Sequence, residues 1–229
     1  MMFNNKSIFI TGANRGIGLE LVKESLNKDF FVTGTFRNKL KSKKVFEITS
    51  SNINLFKMNV IEETSISSVS NQLNKPIDYL VCNAGINNGF GNLFDEDHSH
   101  ANMLEVLNIN VLGCILTIKN LKKNLNENAK IILISSILGI QKHKGSSAMI
   151  YRASKAAVNN VMVSISEELK SENITVVSFH PGWVRTDMGG PNADLSANDS
   201  AKSLIKSFER LKFQDTGKFF NYDGKIINF

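Results

Sequence analysis

"SIFITGANRGIG", residues 7–18, decides the fold. An apolar run of strand length ends at Thr11, three glycines follow at positions 12, 16 and 18, and an amphipathic stretch of helix length begins. In such a strand–turn–helix unit each glycine has a physical task. Gly12 lets the chain turn sharply, Gly16 lets backbone come close to a pyrophosphate, and Gly18 lets the helix pack tightly against the sheet. The helix N-terminus then offers unpaired N–H groups and the positive end of its dipole to a phosphate. Gly12, Asn14, Arg15, Gly16, Ile17 and Gly18 are therefore candidate residues for holding a dinucleotide.

Working outward, short apolar runs alternate with amphipathic stretches. Strands are predicted at 7–12, 30–36, 54–60, 77–85, 130–136, 174–182 and 217–222, and helices at 16–28, 38–48, 63–74, 99–126, 149–172 and 198–212. Most of the strand runs are continuously apolar, as strands buried on both faces should be. The β-α alternation predicts an α/β fold, a Rossmann-type doubly wound parallel sheet of about seven strands with helices on both faces. No break in the pattern marks a boundary, so residues 1–229 read as a single nucleotide-binding domain. Thr64 or a neighbour is the expected cap of the third helix.

Composition narrows the class. The chain is 42% hydrophobic with only 3 prolines among 229 residues, which excludes a disordered or linker-rich protein. The net charge of +6 comes from scattered lysines. The densest cluster, Lys39, Lys41, Lys43 and Lys44, has no interleaved aromatics, so it reads as solvated surface and no nucleic-acid partner is expected. The start of the chain has too short an apolar run for a signal peptide, and no run of 18 apolar residues predicts a membrane span. Cys82 and Cys114 lack metal-ligand spacing and suit a reducing cytoplasm. His98 and His100 follow an acidic run but have no ordered third ligand, so no metal is expected.

The spacing of the glycine turn, G-x-x-x-G-x-G after a threonine, resembles the short-chain dehydrogenase/reductase family. After the second strand the chain reads "TGTFRN", with no acid before Arg37. A carboxylate there would repel a 2′-phosphate, whereas a guanidinium can pair with it. With Arg15 as a second cation, NADPH or NADP is the expected cofactor and NAD the less favoured one. Basic residues at these two positions go with NADP preference in the family. Asn59 and Val60 of "MNV" correspond to the family's Asp-Val pair at the adenine, and Asn83, Ala84 and Gly85 of "CNAG" to its N-N-A-G stretch.

Tyr151 and Lys155 stand one helical turn apart, on a shared face about 6 Å apart along the axis. An ammonium near a phenol favours the phenolate, so the pair is a candidate tuned acid. Upstream, "ISSILG" places Ser135 and Ser136 at a strand's carboxyl end, and "LNINVLG" sets Asn110 inside an apolar helix. Downstream lies "HPGWVRTDMGGPNADLS". The resemblance covers residues 7 to about 190, and it implies a catalytic tetrad of Asn110, Ser136, Tyr151 and Lys155. Motif alignment selects Ser136 over Ser135. In that reading Tyr151 gives a proton to a carbonyl oxygen as hydride arrives from the nicotinamide, Ser136 fixes that oxygen, Lys155 binds the ribose, and Asn110 holds a water. Pro181, Gly182, Val184 and Thr186 would border the nicotinamide. "YRASKAAVN" and "PGWVRTDMGGPNA" look most like the family branch holding C-factor proteins and sniffer-type carbonyl reductases.

The implied activity is reduction of a small ketone or aldehyde. The alternative is a non-catalytic NADP-binding sensor or signalling protein on the same fold. Trp183 reads as a pocket wall or as packing, His143 as solvent-facing or at the substrate mouth, and 187–199 as a mobile substrate loop. A homodimer or homotetramer is implied by the resemblance.

Overall fold

The computed structural model describes residues 6–91 and 93–228. Among the described residues nine strands form in chain order: β1 (Ser7–Ile10), β2 (Phe31–Phe36), β3 (Ile53–Lys57), β4 (Ile77–Cys82), β5 (Leu125–Ile134), β6 (Thr175–His180), β7 (Val184–Arg185), β8 (Leu195–Ser196) and β9 (Phe219–Asn221). Seven of them make one parallel sheet in the order β3-β2-β1-β4-β5-β6-β9. The helices are α1 (Gly16–Asn27), α2 (Lys43–Phe46), α3 (Glu63–Gln72), α4 (His100–Leu107), α5 (Gly113–Leu121), α6 (Met149–Glu168) and α7 (Ala197–Arg210). This is the Rossmann-type arrangement expected from the alternation.

The sheet divides two cores. Ile8, Ile10, Val81, Ile132, Val177 and Phe179 face one way, onto Leu21 and Val22 of α1 and Leu204, Ile205 and Phe208 of α7. Phe9, Leu80, Ile131, Leu133 and Val176 face the other way, onto Ile66 of α3, Ile118 of α5, and Val158 and Met162 of α6. Successive strand residues thus enter opposite cores, which explains continuous rather than alternating apolar runs. At roughly 1.5–3 kcal/mol per buried Val, Leu, Ile or Phe, this burial is the main favourable term.

Several boundaries differ from expectation. The predicted strands overrun at their carboxyl ends: β1 stops at Ile10, β3 at Lys57, β4 at Cys82, β5 at Ile134 and β6 at His180. There the chain leaves the ladder to build the cleft described below. The predicted helix at 38–48 is a short 3-10 turn (Lys39–Lys41) followed by the one-turn α2. Helix α3 starts at Glu63, so the N-cap position falls on Glu62, two residues before Thr64, and no side chain caps it. The predicted helix at 99–126 ends before β5, which starts at Leu125, and a π-turn at Asn108–Leu112 interrupts it. The composite helix His100–Asn124 is long and apolar enough to cross a membrane by composition alone. Here Val106, Ile109, Cys114, Ile118 and Leu121 turn its apolar side into the protein.

Candidate active site

The chain runs outward from β1 through β2 to β3, then crosses to β4 on the other side of β1. Open α/β sheets form their ligand crevice at such a reversal, beyond the strands' carboxyl ends. A cavity of about 1000 Å³ lies there.

One end is built on the glycine turn. Gly12 and Gly16 have φ of 64° and 53°, which only glycine adopts without strain. A side chain on Gly18 would collide with the Gly12 carbonyl oxygen and come within 2.6 Å of the Asn83 amide nitrogen. The turn is held from β4. Thr11 Oγ1 accepts from the N–H groups of Asn83 (3.0 Å) and Ala84 (2.9 Å), and the Asn83 amide donates to the Thr11 and Gly12 carbonyls (2.9 and 3.2 Å). The Asn83 side chain therefore shapes the turn, and Asn14 similarly donates to the Lys41 carbonyl (3.2 Å). Ile17, Gly85, Asn59 and Val60 line the same stretch of cavity, and the Asn59 amide donates to Glu62 (2.6 Å).

Arg15 and Arg37 both line this end. Arg15 pairs with Asp187 at 2.9 Å and Arg37 lies 3.8 Å from Glu105, all with exposed side chains whose pairing is weak. Lys41 is a third lining cation. It belongs to the lysine cluster read from sequence as solvated surface; its place in the 3-10 turn just after β2 was the available signal. The open glycine turn, the helix start and three cations form a donor set that suits a phosphorylated dinucleotide.

The other end gathers the reacting candidates. Ser136 caps a 3-10 turn (Ile137–Gly139) after β5, its hydroxyl accepting from Leu138 N–H (3.1 Å), and it lies near enough to the Tyr151 phenol to influence its protonation. The neighbouring Ser135 hydroxyl instead donates to the Lys155 carbonyl (3.2 Å). Lys155 is 4% exposed; its ammonium donates to the Ile134 carbonyl (2.8 Å) and lies 5.6 Å from the centre of the Tyr151 ring. The 3-10 turn presses on α6 so closely that a side chain on Gly139 would come within 2.6 Å of the Lys155 backbone. Pro181, Gly182, Trp183, Val184 and Thr186 close the cavity from the β6 side.

The electrostatics differ from expectation. Burial pushes the Tyr151 phenol up to about 12, with nearby Ser136 pulling partly the other way. Burial also lowers Lys155, against a smaller opposing effect of Cys114. The protein by itself thus keeps the phenol protonated, where the Tyr–Lys spacing had suggested a lowered value. His180, at the end of β6, is held down to about 4, by burial first and by His143 second.

Asn110 is the one catalytic candidate that does not line the cavity. It is fully buried behind it, inside the π-turn. Its amide accepts from Ile86 N–H (2.8 Å) and donates to the Ile86 carbonyl (2.9 Å) and the Ser154 hydroxyl (3.0 Å). It thereby clamps the chain after Gly85 to α6.

The 187–199 segment, expected as a mobile loop, is pinned. Strands β7 and β8 bracket it, the Trp183 indole donates to the Gly189 carbonyl (2.9 Å), Arg185 donates to the Ala193 and Asp194 carbonyls (2.6 and 2.9 Å), and Ser196 caps α7. Its glycines and asparagine are turn residues. Phe90, which sequence reading missed, lines the cavity, as do Met188 of the expected substrate loop and His143, one of whose two readings was the substrate mouth; Trp183 also lines it and stands 53% exposed. Among the described residues, no group of three His, Cys, Asp or Glu could hold a metal ion.

Comparison with known proteins agrees with this geometry. The chain is 35% identical to C-signal of Myxococcus xanthus over 155 residues, 66% of this chain and 92% of that one. The carbonyl reductase Sniffer of D. melanogaster superposes with a TM-score of 0.92 at 31% identity, covering 99% of this chain and 100% of the other. An NADPH-bound carbonyl reductase from chicken fatty liver does so with a TM-score of 0.89 at 27% identity, covering 98% and 99%. The short chain dehydrogenase family matches residues 6–195. The protein is an oxidoreductase of the short-chain dehydrogenase family.

Proposed function

We propose that the protein reduces a small ketone or aldehyde with NADPH, using Tyr151 as general acid. One observation carries this reading. Ser136, Tyr151 and buried Lys155 line one cavity, with the Lys155 ammonium 5.6 Å from the Tyr151 ring centre and Ser136 near enough to influence the phenol's protonation, and that cavity's far end is a glycine turn ringed by Arg15, Arg37 and Lys41. The two carbonyl reductases on this fold support it, one of them bound to NADPH.

When bound, NADPH supplies the hydride. Gly12, Gly16 and the start of α1 would hold its pyrophosphate, Arg15 and Arg37 its 2′-phosphate, and Thr186 and Val184 its nicotinamide side. Tyr151 holds a proton on its phenolic oxygen at neutral pH and gives it to the carbonyl oxygen. Ser136 donates to that same oxygen and fixes its position. Lys155 places positive charge beside the phenol as it ionises. Asn110 positions α6 and the Ile86 segment around these groups.

The likeness to C-signal favours a second reading, a signalling protein that binds NADP without turnover. Mixing the purified protein with NADPH and a panel of aldehydes and ketones separates the two. Carbonyl-dependent loss of NADPH absorbance is the expected result. Tight NADPH binding with no turnover of any carbonyl would favour the signalling reading.

A further inference from the structure

We propose that the carbonyl substrate carries an anionic group, received by the 142–144 turn at the mouth of the cavity. This rests on the carbonyl reductase reading above. Two independent features support it.

The first is the sign of the cleft. Among the described residues, Asp187 is the only carboxylate lining the cavity, and it is already paired with Arg15. Arg15, Arg37, Lys41 and Lys155 also line it. Three of these cations sit at the cofactor end and Lys155 is buried under the phenol, so they do not reach a substrate's outer end. A cleft of one sign, walled by low-dielectric protein, concentrates ligands of the opposite sign.

The second is the segment that brings the reacting groups. No Asp or Glu occurs between Glu127 and Glu167, although Ser136, Tyr151 and Lys155 all fall there. The turn preceding α6 reads Lys142-His143-Lys144, all three exposed. His143 lines the cavity and lies near enough to His180 to affect its protonation. Lys142 and Lys144, the exposed neighbours of this lining residue in the chain, do not line the cavity themselves and stand beside its rim. Arg152, one residue after Tyr151, donates to the His143 carbonyl and so ties this turn to the catalytic helix. Among the described residues no carboxylate pairs with Lys142, Lys144 or Arg152. The acids of the facing segment are Asp95, Glu96 and Asp97 in the turn before α4, and none of them lines the cavity.

The cavity lining includes the apolar side chains of Phe90, Leu138, Trp183 and Met188. The substrate that fits has a carbonyl for Tyr151 and Ser136, a flat or branched apolar body, and a negative group beyond it. Carboxylate and phosphate share that chemistry.

The test compares substrates on one scaffold: benzaldehyde, 4-carboxybenzaldehyde and 4-formylphenyl phosphate, each with saturating NADPH at low and high salt. One or both anionic aldehydes should exceed benzaldehyde in kcat/KM by about ten-fold or more at low salt, with the advantage shrinking as salt rises. Which of the two leads distinguishes carboxylate from phosphate. Replacing both lysines (Lys142→Gln with Lys144→Gln) should bring the anionic-to-neutral ratio towards one, and the arginine pair (Lys142→Arg with Lys144→Arg) should keep it. Calorimetry supplies a readout without turnover: 4-(hydroxymethyl)benzoate should bind the NADP complex more tightly than benzyl alcohol, and lose that advantage in the glutamine pair. Benzaldehyde reduced as well as both anions would overturn the inference and leave the carbonyl reductase reading standing. A ratio unmoved by the glutamine pair would likewise overturn it. No turnover of any of the three, with NADPH bound, would overturn the underlying reading and the inference together.

Discussion

At the scale of single residues, Tyr151 is a phenol that its surroundings keep protonated. Its value near 12 means that at neutral pH nearly every molecule carries the proton needed for carbonyl reduction. The reverse reaction needs the phenolate, whose population rises about ten-fold per pH unit below the pKa. Reduction rates should therefore stay flat from pH 6 to about 9, while alcohol oxidation climbs steadily over the same range. A pH–rate profile in both directions checks this, and oxidation levelling off near neutrality would mean that the bound enzyme reverses the effect of burial. Linkage has a matching sign. Because the folded value lies above the unfolded one, near 10, the unfolded chain loses its proton first. Tyr151 thus contributes stability that is complete below about pH 10 and is lost as pH rises towards 12.

At the scale of elements, the interruption of the long helix organises the site. The π-turn at Asn108–Leu112 adds one residue to a helical turn, and such turns recur at functional sites. Here it carries Asn110, whose amide accepts from Ile86 N–H and donates to the Ile86 carbonyl and the Ser154 hydroxyl. Asn110→Leu has similar volume but leaves those partners unpaired in a buried place. It should lower stability by about 2–4 kcal/mol and Tm by about 5–15 °C, with NADPH affinity falling less than kcat. Thermal unfolding with parallel binding and turnover measurements checks the split; an unchanged Tm would show that the clamp carries no weight.

Elements were also where sequence reading had its limits. The continuous apolar runs made the seven sheet strands legible, and glycine spacing located the nucleotide end. The π-turn was not legible, because a helix with one extra residue per turn keeps nearly the same apolar pattern. At β5 the strand end was overrun because Ser135 and Ser136 follow the apolar run without a breaker, whereas at β1, β4 and β6 the predicted strands ran on over Gly12, Asn83–Gly85 and Pro181–Gly182, turn residues that lie beyond the ladder. The substrate end was only half visible. Trp183 announced itself beside Pro181–Gly182, His143 and the loop holding Met188 were offered as candidates, and Phe90 reaches the cavity through a loop path that no local pattern records.

At the scale of the whole molecule, charge and exposed apolar surface set its partners. Arg15, Arg37 and Lys41 line one end of the cavity, and in the proposed function they receive the 2′-phosphate that distinguishes NADPH from NADH. Arg37→Asp should weaken NADPH about ten- to hundred-fold, the worth of a charge-assisted hydrogen bond at 1.5–3 kcal/mol. NADH binding should change little, and titration with each cofactor reads the ratio. Leu104 and Leu112 stand exposed on α4 and the π-turn, and Val163 on α6. We propose these faces as a homodimer or homotetramer surface, since among the described residues none covers their apolar side chains.

The most direct measurement is the kcat of Tyr151→Phe for carbonyl reduction, taken alongside its NADPH affinity by calorimetry. The variant keeps the ring and loses only the proton that the substrate oxygen must receive. The expected result is a fall in kcat of about 100- to 10,000-fold with NADPH bound as in the parent protein. Undiminished turnover by Tyr151→Phe would contradict the assignment of the acid, and with it the mechanism built on Ser136, Tyr151 and Lys155.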